Sequence, residues 1–216
     1  MSNADFIVFL VDDDRDVLKA LTRMLEAKGY QVRAFSSARK FLSEHDASVR
    51  GCAIFDVSMP DLDGLELQAA LGASGAARPI IFITGKGKIP DSVAAMKAGA
   101  IDFLTKPVRS RELLAAITLA SEKETKVREH RSELESINDL IEKLTPREKE
   151  VLTHVVAGLL NKQIAARLGI VEKTVKLHRG RVMHKMGVRT VADLVRITER
   201  AGIRPSSVNG LSARLA

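Results

Sequence analysis

The chain has 216 residues, 45% of them hydrophobic, enough for one large globular domain or two small ones. No apolar run approaches the roughly 18 residues that span a bilayer, and a single cysteine, Cys52, excludes a disulfide framework. The net charge of +7 is unevenly spread: residues 1–120 carry 15 basic and 15 acidic side chains, residues 121–144 carry 5 and 7, and residues 145–216 carry 14 and 5. Such a split joins a neutral module to one that either meets a polyanion or presents a solvated basic surface. The opening MSNADFIVFLVDDD has no basic leader and reads as a strand, so a cytoplasmic protein with no membrane partner is expected.

In chain order, Ile7–Val11 is a continuous apolar run ended by Asp12, Asp13 and Asp14. Val17, Leu18, Leu21, Met24 and Leu25 then recur at helical spacing up to Gly29. Gln31–Phe35 reads as a strand, 37–45 as a helix, Ala53–Phe55 as a strand and 65–71 as a helix. Ile80–Ile83 is a fourth strand, 93–98 a small-residue helix before Gly99, Ile101–Leu104 a fifth strand and 111–120 a fifth helix. Five βα units of this length predict a parallel sheet with helices on both faces. Residues 121–144 lack Gly and Pro and are densely charged, so the fifth helix is expected to run on as a linker. Val127, Leu134 and Ile141 stand seven apart, as do His130, Ile137 and Leu144, an a/d pattern over about three heptads that suggests a coiled coil or a solvated spacer. From Thr145 the chain reads as four short helices: 145–158 with a Thr-Pro-x-Glu start, 161–168 ended by Gly169, 172–186 ended by Gly187, and 190–200. The Ser-, Pro- and Gly-bearing stretch 203–216 reads as a flexible tail.

In a doubly wound sheet, functional groups gather at the carboxyl ends of the strands. Asp12 and Asp13 follow the first strand, Asp56 the third, Thr84 ends the fourth and Lys106 follows the fifth. Three carboxylates at one rim need a positive partner, and a hard dication such as Mg²⁺ supplies it. A carboxylate is also a nucleophile toward phosphorus, and the transferred group needs a metal, an ammonium and a hydroxyl around it. A lone aspartate after a strand is more often a turn former or helix cap; five polar residues gathered at four strand ends are a functional set.

These residues fall in the motifs VDDD, FDVSMPDLDG, FITG and AIDFLTKP, and on them residues 5–120 resemble the receiver domain of two-component response regulators. The resemblance implies a flavodoxin-like sheet of order 2-1-3-4-5. It implies Asp56 as acceptor of a phosphoryl group from a sensor histidine kinase, and Mg²⁺ held by Asp12, Asp13, Asp56 and the Ser58 carbonyl. It further implies Thr84 and Lys106 as partners of the phosphoryl group, Phe103 as an aromatic switch and a cis bond to Pro107. Ser58 and Lys86 stand at positions that tune phosphoryl lifetime in that family, and Lys88 departs from its more usual acid.

At about 100° per residue, Val182 and Met186 lie within about 20° of Val175 on the predicted 172–186 helix. The opposite face carries Lys173, Lys176, Leu177, Gly180, Arg181 and His184. Glycine permits close backbone approach, leucine suits a thymine methyl, and lysines reach phosphates or guanine edges. Preceded by 161–168 and a Gly169 turn, this makes a helix-turn-helix. Residues 143–202 resemble the four-helix LuxR-type DNA-binding domain, and the whole chain a NarL/FixJ-subfamily regulator with a linker helix over 121–142. The resemblance places Lys176, Leu177 and Gly180 toward bases and Thr174, His178 and Lys185 at backbone or framework positions. Val171 replaces a capping serine, and Arg181 replaces an asparagine.

The expected protein is not an enzyme but a phosphorylation-activated transcription regulator: a homodimer when phosphorylated, bound to double-stranded promoter DNA and meeting RNA polymerase. Two rivals are a receiver whose DNA domain works without phosphorylation, and an aspartyl-phosphate phosphatase. The second would want a general acid two residues after Asp56, where Ser58 stands.

Overall fold

The computed structural model describes residues 5–75, 78–85 and 89–203, with backbone alone for 89–91. Lys86, Lys88 and the 204–216 part of the expected tail lie outside the described residues. The chain divides between Arg128 and Glu129 into two compact units.

The first unit alternates β1 (Ile7–Val11), α1 (Arg15–Glu26), β2 (Gln31–Phe35), α2 (Ala38–Glu44), β3 (Gly51–Asp56), α3 (Gly64–Ala73), β4 (Ile80–Thr84), α4 (Ile89–Lys97), β5 (Asp102–Thr105) and the start of α5 (Ser110–Glu142). The sheet is parallel, in the order β2-β1-β3-β4-β5. β1, β3 and β4 are buried along their whole length, which is why they read as unbroken apolar runs rather than alternating ones. Alternate residues still serve opposite faces. Val8, Leu10, Ile54 and Ile81 pack with Leu21 and Leu25 of α1 and Leu113 and Ile117 of α5. Phe9, Phe55 and Phe82 pack on the other face with Phe41 of α2, Leu67 of α3 and Ala95 of α4.

Local chemistry sets the ends. Asp14 caps α1 by accepting from the amides of Asp16 and Val17. Asp63 opens α3 in a capping box with Glu66. Gly51 has no alternative, because a Cβ there would fall 1.9 Å from the Ile7 carbonyl oxygen.

The second unit contains α6 (Pro146–Val156), α7 (Asn161–Leu168), α8 (Glu172–Lys185) and α9 (Val191–Arg200). Thr145 and Glu148 form the capping box expected from Thr-Pro-x-Glu, with proline in the first turn. Val151, Leu152, Val155, Ile164, Val175, Val182, Met186 and Leu194 form its core, and Ile137, Ile141 and Leu144 are buried in it. The last heptad of the linker pattern is therefore spent inside the chain. Of the apolar heptad positions, Val127 is exposed and Leu134 half-buried, so no continuous free a/d stripe runs through 127–144.

Candidate functional site

Strand register assembles the carboxyl-end rim. Val11 pairs with Phe55, so Asp12 and Asp56 leave their strands level with one another. Asp56 pairs with Ile83, one residue before Thr84, and Thr84 pairs with Thr105, one residue before Lys106. The Lys106 amide donates to the Thr84 carbonyl at 2.7 Å, and the Lys106–Pro107 bond is cis.

The Lys106 ammonium sits 2.7 Å from Asp12 Oδ2 and 2.8 Å from Asp56 Oδ1. Both carboxylates are almost wholly buried, whereas Asp13 faces solvent. Ligand oxygens of the three aspartates lie within 4.8 Å of one another. The remaining oxygens are also engaged: Asp12 Oδ1 accepts from the Asp14 amide at 2.9 Å and Asp56 Oδ2 from the Ser58 amide at 2.9 Å. Burial raises the Asp12 pKa, against the lowering by Lys106 and the Asp14 amide. For Lys106, burial alone would lower the pKa, but its hydrogen bonds to Asp12 and Asp56 outweigh that and hold it above the ordinary lysine range. The set is hard, anionic and all-oxygen, the donor chemistry of Mg²⁺ rather than of a softer metal.

Around this centre Thr84 is fully buried, Phe103 is half-buried and Pro107 is exposed. The Phe103 ring lies 6.1 Å from that of Phe82. Gly64, the last residue of FDVSMPDLDG, belongs to the site although no chemical group marks it in the sequence. A Cβ there would stand 2.5 Å from the Asp56 carbonyl oxygen, so the β3–α3 loop closes on the acid only because position 64 has no side chain. Asp61 and Asp63 do not join the acidic cluster: Asp61 adopts a positive φ of 69° and Asp63 caps α3.

In α8, Val175, Val182 and Met186 are buried, while Lys173, Lys176, Leu177, Gly180, Arg181 and His184 are exposed on the other side. Lys176, Leu177, Gly180, Arg181 and His184 line one shallow surface groove with Lys185. Thr174 and His178 are half-buried, and His178 Nδ1 is buried without a hydrogen-bond partner among the described residues. Val171 starts the helix with no side-chain cap. The Lys185 ammonium donates to Glu148 (2.7 Å) and to the Lys143 carbonyl (3.1 Å). Glu148, buried and capping α6 as well, has a pKa lowered first by Lys185 and then by the Thr145 amide. No sequence periodicity announces this pair, 37 residues apart.

Residues 8–118 match the response regulator receiver domain, and residues 142–198 match the luxR family of bacterial regulatory proteins. The chain is a response regulator of the NarL/FixJ type. Nodulation protein W of Bradyrhizobium diazoefficiens is 47% identical over 91% of this chain and 87% of that one. Response regulator protein TmoT of Ectopseudomonas mendocina is 45% identical over 93% and 91%. The solved structure of response regulator StyR aligns with a TM-score of 0.81 at 43% identity, over 91% of this chain and all of that one. This response regulator thus carries a receiver domain and a LuxR-type DNA-binding domain, and is a transcription regulator rather than a member of an enzyme family. No described helix is long and apolar enough to cross a membrane.

Proposed function

We propose that this response regulator takes a phosphoryl group on Asp56 from the phosphohistidine of a sensor kinase. The observation that carries this reading is the Lys106 ammonium bridging Asp12 and Asp56, with Asp13 alongside. Asp12, Asp13, Asp56 and the Ser58 carbonyl would hold Mg²⁺, whose charge stabilises the phosphoryl oxygens when it is bound. The Asp56 carboxylate oxygen attacks phosphorus, the P–N bond to the kinase imidazole breaks, and an aspartyl-phosphate remains. Lys106 shifts from carboxylate to phosphoryl oxygen, the Thr84 hydroxyl donates to another, and Phe103 turns inward beside cis Pro107. The exposed Val93 and Met96 of α4 then lie on a face that pairs two copies, and two α8 helices reach two half-sites in promoter DNA.

In that complex Lys176, Leu177 and Gly180 face base edges, with Lys173, Thr174, His178, Arg181 and His184 along the backbone. RNA polymerase is the downstream partner, and the reading places the protein in the cytoplasm. Asp56→Ala should abolish phosphate incorporation from acetyl phosphate and remove the phosphodonor-dependent gain in DNA affinity; undiminished labelling would refute the acceptor assignment. Lys176→Ala should cost about 1–3 kcal/mol at the specific site if it reads a base. A footprint of unchanged affinity and sequence would remove it from the interface.

A further inference from the structure

The amino end of the receiver, opposite the acidic rim, contains a cluster that neither the phosphoryl chemistry nor the DNA face uses. Glu124, on α5 beyond the matched receiver segment, is 8% exposed. Arg50 Nε reaches it at 3.2 Å and Arg128 Nε at 2.8 Å. Arg50 Nη2 also donates to Thr125 Oγ1 at 3.1 Å, and Arg128 Nη2 to the Ser48 carbonyl at 2.8 Å. A third arginine, Arg78, holds the same α2–β3 loop, donating to the carbonyls of Asp46 and Val49 at 2.9 Å each and to His45 Nε2 at 2.8 Å. Its guanidinium stands 4.2 Å above the Phe9 ring. A buried carboxylate is tolerated only while paired, so Glu124 keeps its place through its two arginines.

The clamp is joined to the other end of the sheet by rings. Ring centroids stand 6.1 Å apart for Phe103 and Phe82, 6.2 Å for Phe82 and Phe55, 5.3 Å for Phe55 and Phe41, and 4.9 Å for Phe41 and His45, the acceptor of Arg78. Close-packed interiors transmit displacement instead of absorbing it.

We propose that this aromatic row and the arginine clamp form one mechanical element, by which the packing of Phe103 sets how firmly residues 121–128 of α5 are held to the receiver. The link rests on the reading of Phe103 as the switch residue, and gives phosphorylation a route to the linker helix separate from the α4 face.

Hydrogen exchange in the full chain tests it before any phosphoryl transfer. Glu124→Gln should lower amide protection across 121–128 by about tenfold or more, with β1 and β3 protection kept. Phe103→Leu should lower it less. The double variant should fall short of the product of the two effects by more than about threefold, because independent sites combine to within about twofold. Multiplying effects overturn the proposal. Arg128→Gln stands in for Glu124→Gln should that variant lose β1 and β3 protection. Acetyl phosphate, added to the native chain, should change protection over the same residues. Failure of Asp56 to label, with the non-multiplying pair retained, would strike the proposed phosphoryl acceptor and leave the clamp standing; labelling with no change over 121–128 would overturn the clamp.

Discussion

Replacing Gly64 by alanine probes the acceptor site without touching a charged group. The new Cβ would stand 2.5 Å from the Asp56 carbonyl oxygen, 3.2 Å from its carbonyl carbon and 3.1 Å from Phe82 Cε1. Ordinary contact begins near 3.4 Å, so the loop or the end of β3 must move by about 0.9 Å, the difference of those two distances. Neither neighbour yields easily, since Asp56 is hydrogen-bonded in β3 and Phe82 is fully buried in the aromatic cluster. Overpacking of this kind costs about 1–3 kcal/mol, read as a lower urea midpoint at unchanged slope. A misplacement near 1 Å at a reacting group costs on the order of 10²-fold in rate, so labelling by acetyl phosphate should slow by about that factor although Asp56 is present. Gly72→Ala is the control: it lies within α3 with nothing inside 4 Å of the added Cβ, and should stabilise by about 0.5–1 kcal/mol. Native midpoint and native labelling rate in Gly64→Ala would mean that the loop accepts the methyl group and that this close approach does not position Asp56.

Three further outcomes follow from the same geometry. Burial raises the Asp12 pKa despite Lys106; a carboxyl with a raised folded pKa loses stability for the fold as pH climbs from its unfolded value through the folded one, so Asp12→Asn should raise the urea midpoint at neutral pH in chelator, and a lower midpoint contradicts this. The Glu148 pKa is lowered by Lys185, so its contribution is present above the usual glutamate pKa and lost as pH falls through the folded one; Glu148→Gln should cost the second unit about 1.5–3 kcal/mol and flatten its acid sensitivity, checked by circular dichroism between mild acid and neutral pH. Ile141→Ala removes a side chain buried in the second unit's core and should cost that unit about 2–5 kcal/mol, with phosphate labelling of the receiver unchanged; an unaltered melting profile would mean that Ile141 is not packed there.

Much of this protein is written locally in its chain. The buried strands appear as unbroken runs such as Ile7–Val11 because both of their faces are covered, and Thr145-Pro146-Arg147-Glu148 states a helix start in four residues. The outward face of α8 is legible because helical phase alone separates Lys176, Leu177 and Gly180 from Val175 and Val182. The acidic site is legible in part: motif order marks Asp12, Asp13, Asp56, Thr84 and Lys106, and register then sets Lys106 between two of the acids. The heptad pattern of the linker shows the limit of periodicity. Ile137, Ile141 and Leu144 would serve a partner helix or the chain's own core equally well by spacing, and their burial against α6 to α9 is a tertiary outcome. The same holds for Gly64 against the Asp56 carbonyl, Lys185 on Glu148, and Arg50 and Arg128 on Glu124. The order of elements and the chemistry each carries follow from neighbours a few residues apart. Which charges meet across 37 or 74 residues, and which apolar stripe is already spent, is settled by packing, because those contacts exist only once the elements are assembled.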